Sequence, residues 1–280
     1  MWLALLVMAA PASAIPVTVA DARGMRVTER AAPRRIVSLT PATTEMLFAL
    51  GLGGRVVGDT VYCDYPPAAR RVAKIGDVRV NYERVVALRP DLIVGDVVAT
   101  SAPVARLTQL RLPVFAVRPD TLDGVERSLR LLGQVTGATH PANVVVARME
   151  AQRRQARALA ARDPRRPRVL LVIGTNPLFV AGRGTFLDSL ITEAGGVNAA
   201  TITGYGALSR ETVLAHPPDV ILAAPGDQAA LRADPALRRL PAVRAGRFVS
   251  VTDRNLLERP GPRVTEGLLQ VARALHPGVK

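Results

Sequence analysis

The chain has one cysteine, three histidines and one tryptophan in 280 residues, and each shortage closes off a class of function. A single thiol, Cys63, permits no internal disulfide and lies too far from the amino terminus to carry an anchoring lipid. It reads as a small packed residue. His140, His216 and His276 stand apart at helix ends and corners, without the spacing of metal ligands, and read as structural or exposed. Gly51-Leu-Gly-Gly54 follows a helix rather than a strand, so it reads as a cap and turn, not a phosphate loop. Neither a Walker loop nor a G-x-S-x-G elbow occurs. No enzyme is expected, and no catalytic residue, metal or cofactor is assigned.

Acidic residues are scarce as well. Asp and Glu number 23 against 37 Lys and Arg, a net charge of +14. Such an excess suits nucleic acid, anionic lipid or an anionic ligand, or a chain that simply overuses arginine. Arg153-Arg154 and Arg165-Arg166 are the densest spots and the rest is scattered, so no nucleic-acid partner is expected. Long apolar runs are absent after the first fourteen residues. Met1 to Ala14 is apolar and closes on Ala12-Ser13-Ala14, the pattern of a secretory signal peptide, too short to span a membrane. The expectation is a chain matured at Ile15, exported to the periplasm and not lipid-anchored. At 49% apolar residues and a mean hydropathy of +0.19 it should fold.

What is present begins with a repeat. Residues 83–94, Glu-Arg-Val-Val-Ala-Leu-Arg-Pro-Asp-Leu-Ile-Val, return at 211–222 as Glu-Thr-Val-Leu-Ala-His-Pro-Pro-Asp-Val-Ile-Leu. The offset is 128 (83 to 211) across all twelve positions, without a gap. Each copy reads as a short helix, a Pro-Asp corner and a buried strand, with Asn81 and Ser209 as N-caps. One repeat at this long spacing predicts two similar α/β lobes with a cleft between them, not a solenoid.

The rest of the chain fits that plan. Val17-Thr-Val and Met25-Arg-Val-Thr flank Asp21–Gly24 as a hairpin, and Arg35–Leu39, Val56-Val57 and Val114–Val117 read as strands. Helices are expected near 40–50, 101–110 and 122–135. Pro141 suits the first position of a helix, and residues 142–161 contain neither Gly nor Pro and place Val145, Met149, Gln152, Ala156 and Leu159 on one stripe. About 20 helical residues span about 30 Å, enough to bridge two lobes at a nearly fixed angle. In the second half Arg168–Ile173 and Phe248–Val251 read as strands, 185–194 as a helix, and Gly174–Phe179, the segment of Tyr205 and 254–262 as loops. The expected division is a signal peptide at 1–14, an α/β lobe at 15–138, a bridging helix at 139–163 and a second α/β lobe at 164–280. The fold class is two Rossmann-like α/β lobes, one long bridging helix and a ligand cleft between.

Nine aromatic residues follow the leader, none of them tryptophan. Phe48, Phe115 and Phe248 fall in apolar periodic segments and read as core. Tyr62, Tyr65, Tyr82, Phe179, Phe186 and Tyr205 fall in or beside loops after strands, where ligands of open α/β sheets bind. Glu83 and Glu211 sit in the first turn of their helices, where they offset the dipole, or serve as a two-point docking pair for arginine forks of a two-fold partner.

These segments together resemble the periplasmic substrate-binding proteins of ABC importers for cobalamin, haem and ferric siderophores. The likeness rests on Arg35-Ile-Val-Ser-Leu39, Thr44-Glu45 with Ala49-Leu50-Gly51, Tyr62-Cys-Asp-Tyr-Pro-Pro67 and the run 88–94. In the second half it rests on Asn176-Pro177, Glu193-Ala-Gly-Gly196, Ser209-Arg-Glu211, Glu258-Arg259 and Pro262-Arg263. The resemblance implies a monomer that closes little, with Glu83 and Glu211 engaging arginines of a membrane permease. Its cobalamin-binding subgroup is the nearest, through the Tyr62–Pro67 loop, Asn176–Phe179 and Glu258-Arg259. Carried over by position, Tyr62, Phe179, Tyr205, Glu258 and Arg259 line the pocket of a macrocyclic or chelate ligand. The subgroup's tryptophans are missing. Tyr205 stands where one is expected, with Asp96 and Leu256 where others would be. A ferric siderophore, with Arg79, Arg183 and Arg259 as anion partners, and haem are the alternatives.

Overall fold

A computed structural model describes residues 16–77 and 79–279. The expected signal peptide and the start at Ile15 lie outside the described residues. The hairpin forms as read, with β1 (Val17–Ala20) antiparallel to β2 (Arg26–Glu29). A four-stranded parallel sheet follows, of β3 (Ile36–Ser38), β4 (Val56–Gly58), β5 (Leu92–Asp96) and β6 (Val114–Val117), in the order β4-β3-β5-β6. Its helices are α1 (Pro41–Ala49), α2 (Tyr82–Ala87), α3 (Ser101–Gln109) and α4 (Leu122–Thr136). Every residue of β3, β5 and β6 is buried, as continuous apolar runs in a sheet covered on both faces must be.

The long helix α5 (Thr139–Arg162) then leads to a second, mixed sheet. Its strands are β7 (Arg168–Thr175), β8 (Leu178–Ala181), β9 (Val197–Asn198), β10 (Tyr205–Ala207), β11 (Val220–Leu222) and β12 (Phe248–Val249). The order is β10-β8-β7-β11-β12, with β9 beside the first residues of β7. Its helices are α6 (Phe186–Glu193), α7 (Arg210–Ala215), α8 (Pro225–Ala233), α9 (Pro241–Arg244), α10 (Asn255–Glu258) and α11 (Val264–Leu275).

Three loop expectations are corrected. Gly174–Phe179 is a strand end, a two-residue turn at Asn176-Pro177 and the start of β8. Tyr205 opens a strand that pairs with β8, and 254–262 contains α10. Each run is four residues or fewer, too short for periodicity to declare itself. Pro141 also falls inside the first turn of α5 rather than at its first position.

The repeat has a physical basis in both halves. Asp91 accepts hydrogen bonds from the Arg34 and Arg35 amides, and Asp219 accepts one from the Arg168 amide. The Asp91 and Asp219 amides in turn donate to the Arg35 and Arg168 carbonyls. The Arg35 guanidinium binds the Leu88 carbonyl, and that of Arg168 binds the His216 carbonyl, 128 residues on. The Pro-Asp corner therefore clasps the start of the neighbouring strand, which sets the register of β5 against β3 and of β11 against β7.

One apolar cluster runs through both halves. It joins Ile36, Phe115 and Leu132 to Met149 and Ala156 of α5, and on to Val169, Leu190 and Leu268. Smaller clusters lie under each sheet separately. Helix α5 packs against α4, α11, α6 and α1, so it is embedded in the core of both lobes rather than strung between them.

Candidate functional site

The parallel strands of both sheets end at the same gap. Leu39 and Thr40 follow β3, Asp96 ends β5, and Ile173 lies near the end of β7; all line cavities between the two lobes. Two cavities, about 290 Å³ and about 700 Å³, share the walls Asp96, Ala99, Glu258 and Pro260 and so form one continuous cleft. This is where open α/β sheets present their loops to ligands.

Of the expected pocket residues, Tyr62, Glu258 and Arg259 line the smaller cavity, and Phe179, Tyr205 and Glu258 the larger. The sequence thus brings all five together. Tyr62, Phe179 and Tyr205 are 52%, 36% and 51% exposed, which leaves their ring faces open to a ligand. Phe186 also lines the larger cavity. Tyr65 does not; its ring lies under the Arg263 guanidinium at 3.5 Å. Tyr82 packs against the small core of the first lobe, and Leu256 is buried. Burial, followed by the nearby Glu258 charge, pushes the Tyr205 phenol up, against bonding to Thr185 and the Leu187 backbone.

The cleft is acidic although the chain is basic. Asp77, Asp96, Asp120 and Glu258 line it, with Arg259 the one arginine among the described lining residues, though Glu258 is paired with Arg254 and Asp120 with Arg118. Asp96 is 3% exposed, and burial raises its carboxyl above the usual range, opposed by hydrogen bonds from the Val98 and Ala99 amides at 2.7 and 3.3 Å. Arg259 is already committed: it donates to Asp64 at 2.6 Å and to Glu45 at 3.3 Å. Arg79 and Arg183 line neither cavity. The arginines expected to hold an anion are elsewhere or neutralised.

Glu45 was read only as part of a motif. It is 3% exposed on α1 and receives both Arg263 nitrogens at 2.9 Å, a bidentate fork from the opposite lobe. Burial works against the Arg263 charge, but the Glu45 hydrogen bonds and charge outweigh it and hold its pKa above the ordinary value. Glu45, Arg259 and Arg263 therefore latch the lobes together beside the cleft. A buried glutamate in an apolar helix was the available signal for this pair.

Glu83 and Glu211 line neither cavity. Both are exposed in the first turns of α2 and α7, capped by Asn81 and Ser209, and neither forms an ion pair among the described residues. Val80, one residue before the α2 cap, lines the smaller cavity, and Tyr205, four before the α7 cap, lines the larger. His276 is buried between the Asp163 carboxylate and the Ala194 carbonyl, at 3.0 and 2.9 Å, a structural role. Cys63 is buried too, accepting from Thr44 at 3.2 Å.

A model of the family described as periplasmic binding protein matches residues 36–254. An uncharacterized ABC transporter substrate-binding lipoprotein of Bacillus subtilis is 31% identical over 271 residues, covering 94% of this chain and 86% of its own length. A cobalamin-binding protein of Halobacterium salinarum is 31% identical over 281 residues, covering 95% of this chain and 75% of its own. A periplasmic haem-binding protein from Roseiflexus sp. RS-1, solved in apo form, superposes with a TM-score of 0.78 at 32% identity, covering 88% of this chain and 99% of that one.

Proposed function

The chain belongs to the periplasmic binding protein family, and on that premise we propose that it captures a corrinoid such as cobalamin and delivers it to the permease of an ABC importer. Family membership makes it an extracytoplasmic solute-binding protein and not an enzyme. We further propose that the protein works as a monomer. It divides into a lobe at 15–138, a bridge at 139–163 and a lobe at 164–280.

The observation that carries the ligand reading is the cleft's combination of open aromatic faces with carboxylates. Tyr62 from one lobe and Phe179 and Tyr205 from the other offer flat apolar walls, which suit a macrocycle. Asp77, Asp96, Asp120 and Glu258 accept hydrogen bonds. A corrin carries peripheral amides that donate them. Haem carboxylates and anionic ferric chelates find no free arginine among the described lining residues, since Arg259 is held by Glu45 and Asp64. A relative named for cobalamin agrees with this reading; a relative named for haem makes haem the second candidate.

Titration calorimetry with cyanocobalamin, haemin and a ferric hydroxamate tests it. Cyanocobalamin should bind, and Tyr62→Ala and Tyr205→Ala should each weaken it by roughly 1–3 kcal/mol, the scale of burying an aromatic face. His216→Ala, on an exposed corner away from the cleft, should change nothing. Binding of haemin alone would overturn the corrinoid reading, and intact binding in both tyrosine variants would displace the site.

A further inference from the structure

Thirteen large apolar side chains remain exposed among the described residues, and two of them are related by the repeat. Val86 on α2 is 50% exposed and Leu214 on α7 is 39% exposed; they lie 128 residues apart, like Glu83 and Glu211. Each stands one helical turn beyond its glutamate, and an exposed alanine, Ala87 or Ala215, follows it. Residues spaced by three and four share a helix face, so each lobe presents the same stripe of carboxylate, branched apolar side chain and methyl. The inward neighbours Val85 and Val213 are 0% and 2% exposed, which pins both short helices to their sheets and fixes which face looks out.

Other exposed apolar residues have no such counterpart. Val98 lines the cleft, and Val144, Leu110 and Val197 occur singly in the duplicated plan. Scattered single residues need no explanation, whereas one that recurs at an equivalent position beside an unpaired carboxylate does.

We propose that Val86 and Leu214 are the apolar halves of two equivalent docking knobs, each seated in an arginine-bearing apolar socket on one half of a two-fold permease. This rests on the reading of Glu83 and Glu211 as docking residues and adds what they grip with. A charge pair steers and orients the encounter, while its net affinity is modest in water. An apolar side chain beside it supplies contact that salt does not screen and helps exclude water from the pair. The partner is therefore a paired surface with a guanidinium next to a shallow apolar hollow, repeated by its own two-fold axis.

Binding of fluorescently labelled protein to right-side-out membrane vesicles from the source cells, at low and high salt, tests this. Protein-free liposomes of the same lipids serve as the comparison. Val86→Ser with Leu214→Ser should weaken saturable vesicle binding about tenfold or more at both salt concentrations, with cyanocobalamin binding and thermal midpoint unchanged. Glu83→Gln with Glu211→Gln should weaken binding mainly at low salt and flatten its salt dependence. If the serine pair binds as the parent does while the glutamine pair is impaired, the apolar knobs are refuted and the docking glutamates stand. Loss of binding to bare liposomes in the serine pair equal to that on vesicles would also refute them, since lipid would then be the partner. An unimpaired glutamine pair would remove the docking reading itself.

Discussion

Arg153 is 8% exposed, and its guanidinium meets Glu193, Glu126 and Asp123 at 2.7, 2.9 and 2.7 Å. Glu193 belongs to α6, and Glu126 and Asp123 to α4, so one side chain ties the bridging helix to both lobes. The Glu193 hydrogen bonds, outweighing burial, raise its pKa further and keep it charged. Arg153→Met should cost about 3–5 kcal/mol in urea unfolding, because Glu126 stays buried without a counter-charge and Glu193 keeps only the exposed Arg157. The residue was visible in sequence only as charge density. Its spacing of four from Met149 and three from Ala156 puts it on the buried stripe, and that was the overlooked signal. Asp59 is the opposite case. Burial pushes its carboxyl up to about 6 despite the Lys74 ammonium at 2.7 Å, and its Oδ2 has no hydrogen-bond partner. Between the unfolded value near 3.8 and about 6 the folded state holds the extra proton. The contribution of this group is therefore full below the unfolded value and lost as pH rises through 6. Asp59→Asn removes that titration. Urea midpoints at pH 4.5 and 7 should converge in the variant relative to the parent; an unchanged difference would mean Asp59 is not the group responsible.

At the level of elements, the two copies of the repeat end their helices differently. In the first, Arg89 takes φ +45°, a left-handed conformation, directly before Pro90. In the second, His216 takes φ −127° before Pro217. The left-handed position after a helix favours glycine, since a Cβ there costs roughly 1–2 kcal/mol. Arg89 is exposed, so Arg89→Gly should stabilise the protein by about 0.5–1 kcal/mol once the greater freedom of unfolded glycine is subtracted. A lowered thermal midpoint would show that the strain is not there. The helix, corner and strand of each copy were legible because caps, a proline and an unbroken apolar run all agree over twelve residues. The strands β8 and β10 were not, because they are stabilised by pairing with each other and with β7 rather than by any pattern of their own. The same holds for the Asp91 and Asp219 clasps: the repeat marked both aspartates, but only the fold reveals that they hold the next strand's amides.

Across the whole molecule, the sign of the cleft could not be read from the sequence. A net charge of +14 left an anionic ligand open beside a mere overuse of arginine, yet carboxylates from both lobes converge where the strands end, and the arginine among them is spent on the latch. How far the lobes move was legible in part, through the unbroken helix, and the structure adds two further ties. The 24 residues of α5 are continuous, and bending them would break backbone hydrogen bonds inside a shared apolar core. Arg153 fixes the middle of that helix to both lobes, and Glu45 with Arg259 and Arg263 fixes the cleft edge. Hinged closure needs at least one flexible crossing, and here each crossing is either helical or bolted by paired charges. Small-angle scattering should therefore give a radius of gyration of about 19 Å, the size of a compact chain of this length, that does not change when the compound identified by calorimetry is added. Glu45→Ala separates the ties. It removes the Glu45 part of the latch and leaves α5, Arg153 and the Arg259–Asp64 pair intact, so the unliganded variant should expand only slightly while losing about 1–3 kcal/mol of stability as Arg263 loses both bonds to Glu45 and keeps only Asp253. A marked compaction of the parent protein on binding would show that the lobes swing after all, and an Ala variant as compact and as stable as the parent would show that Glu45 holds nothing.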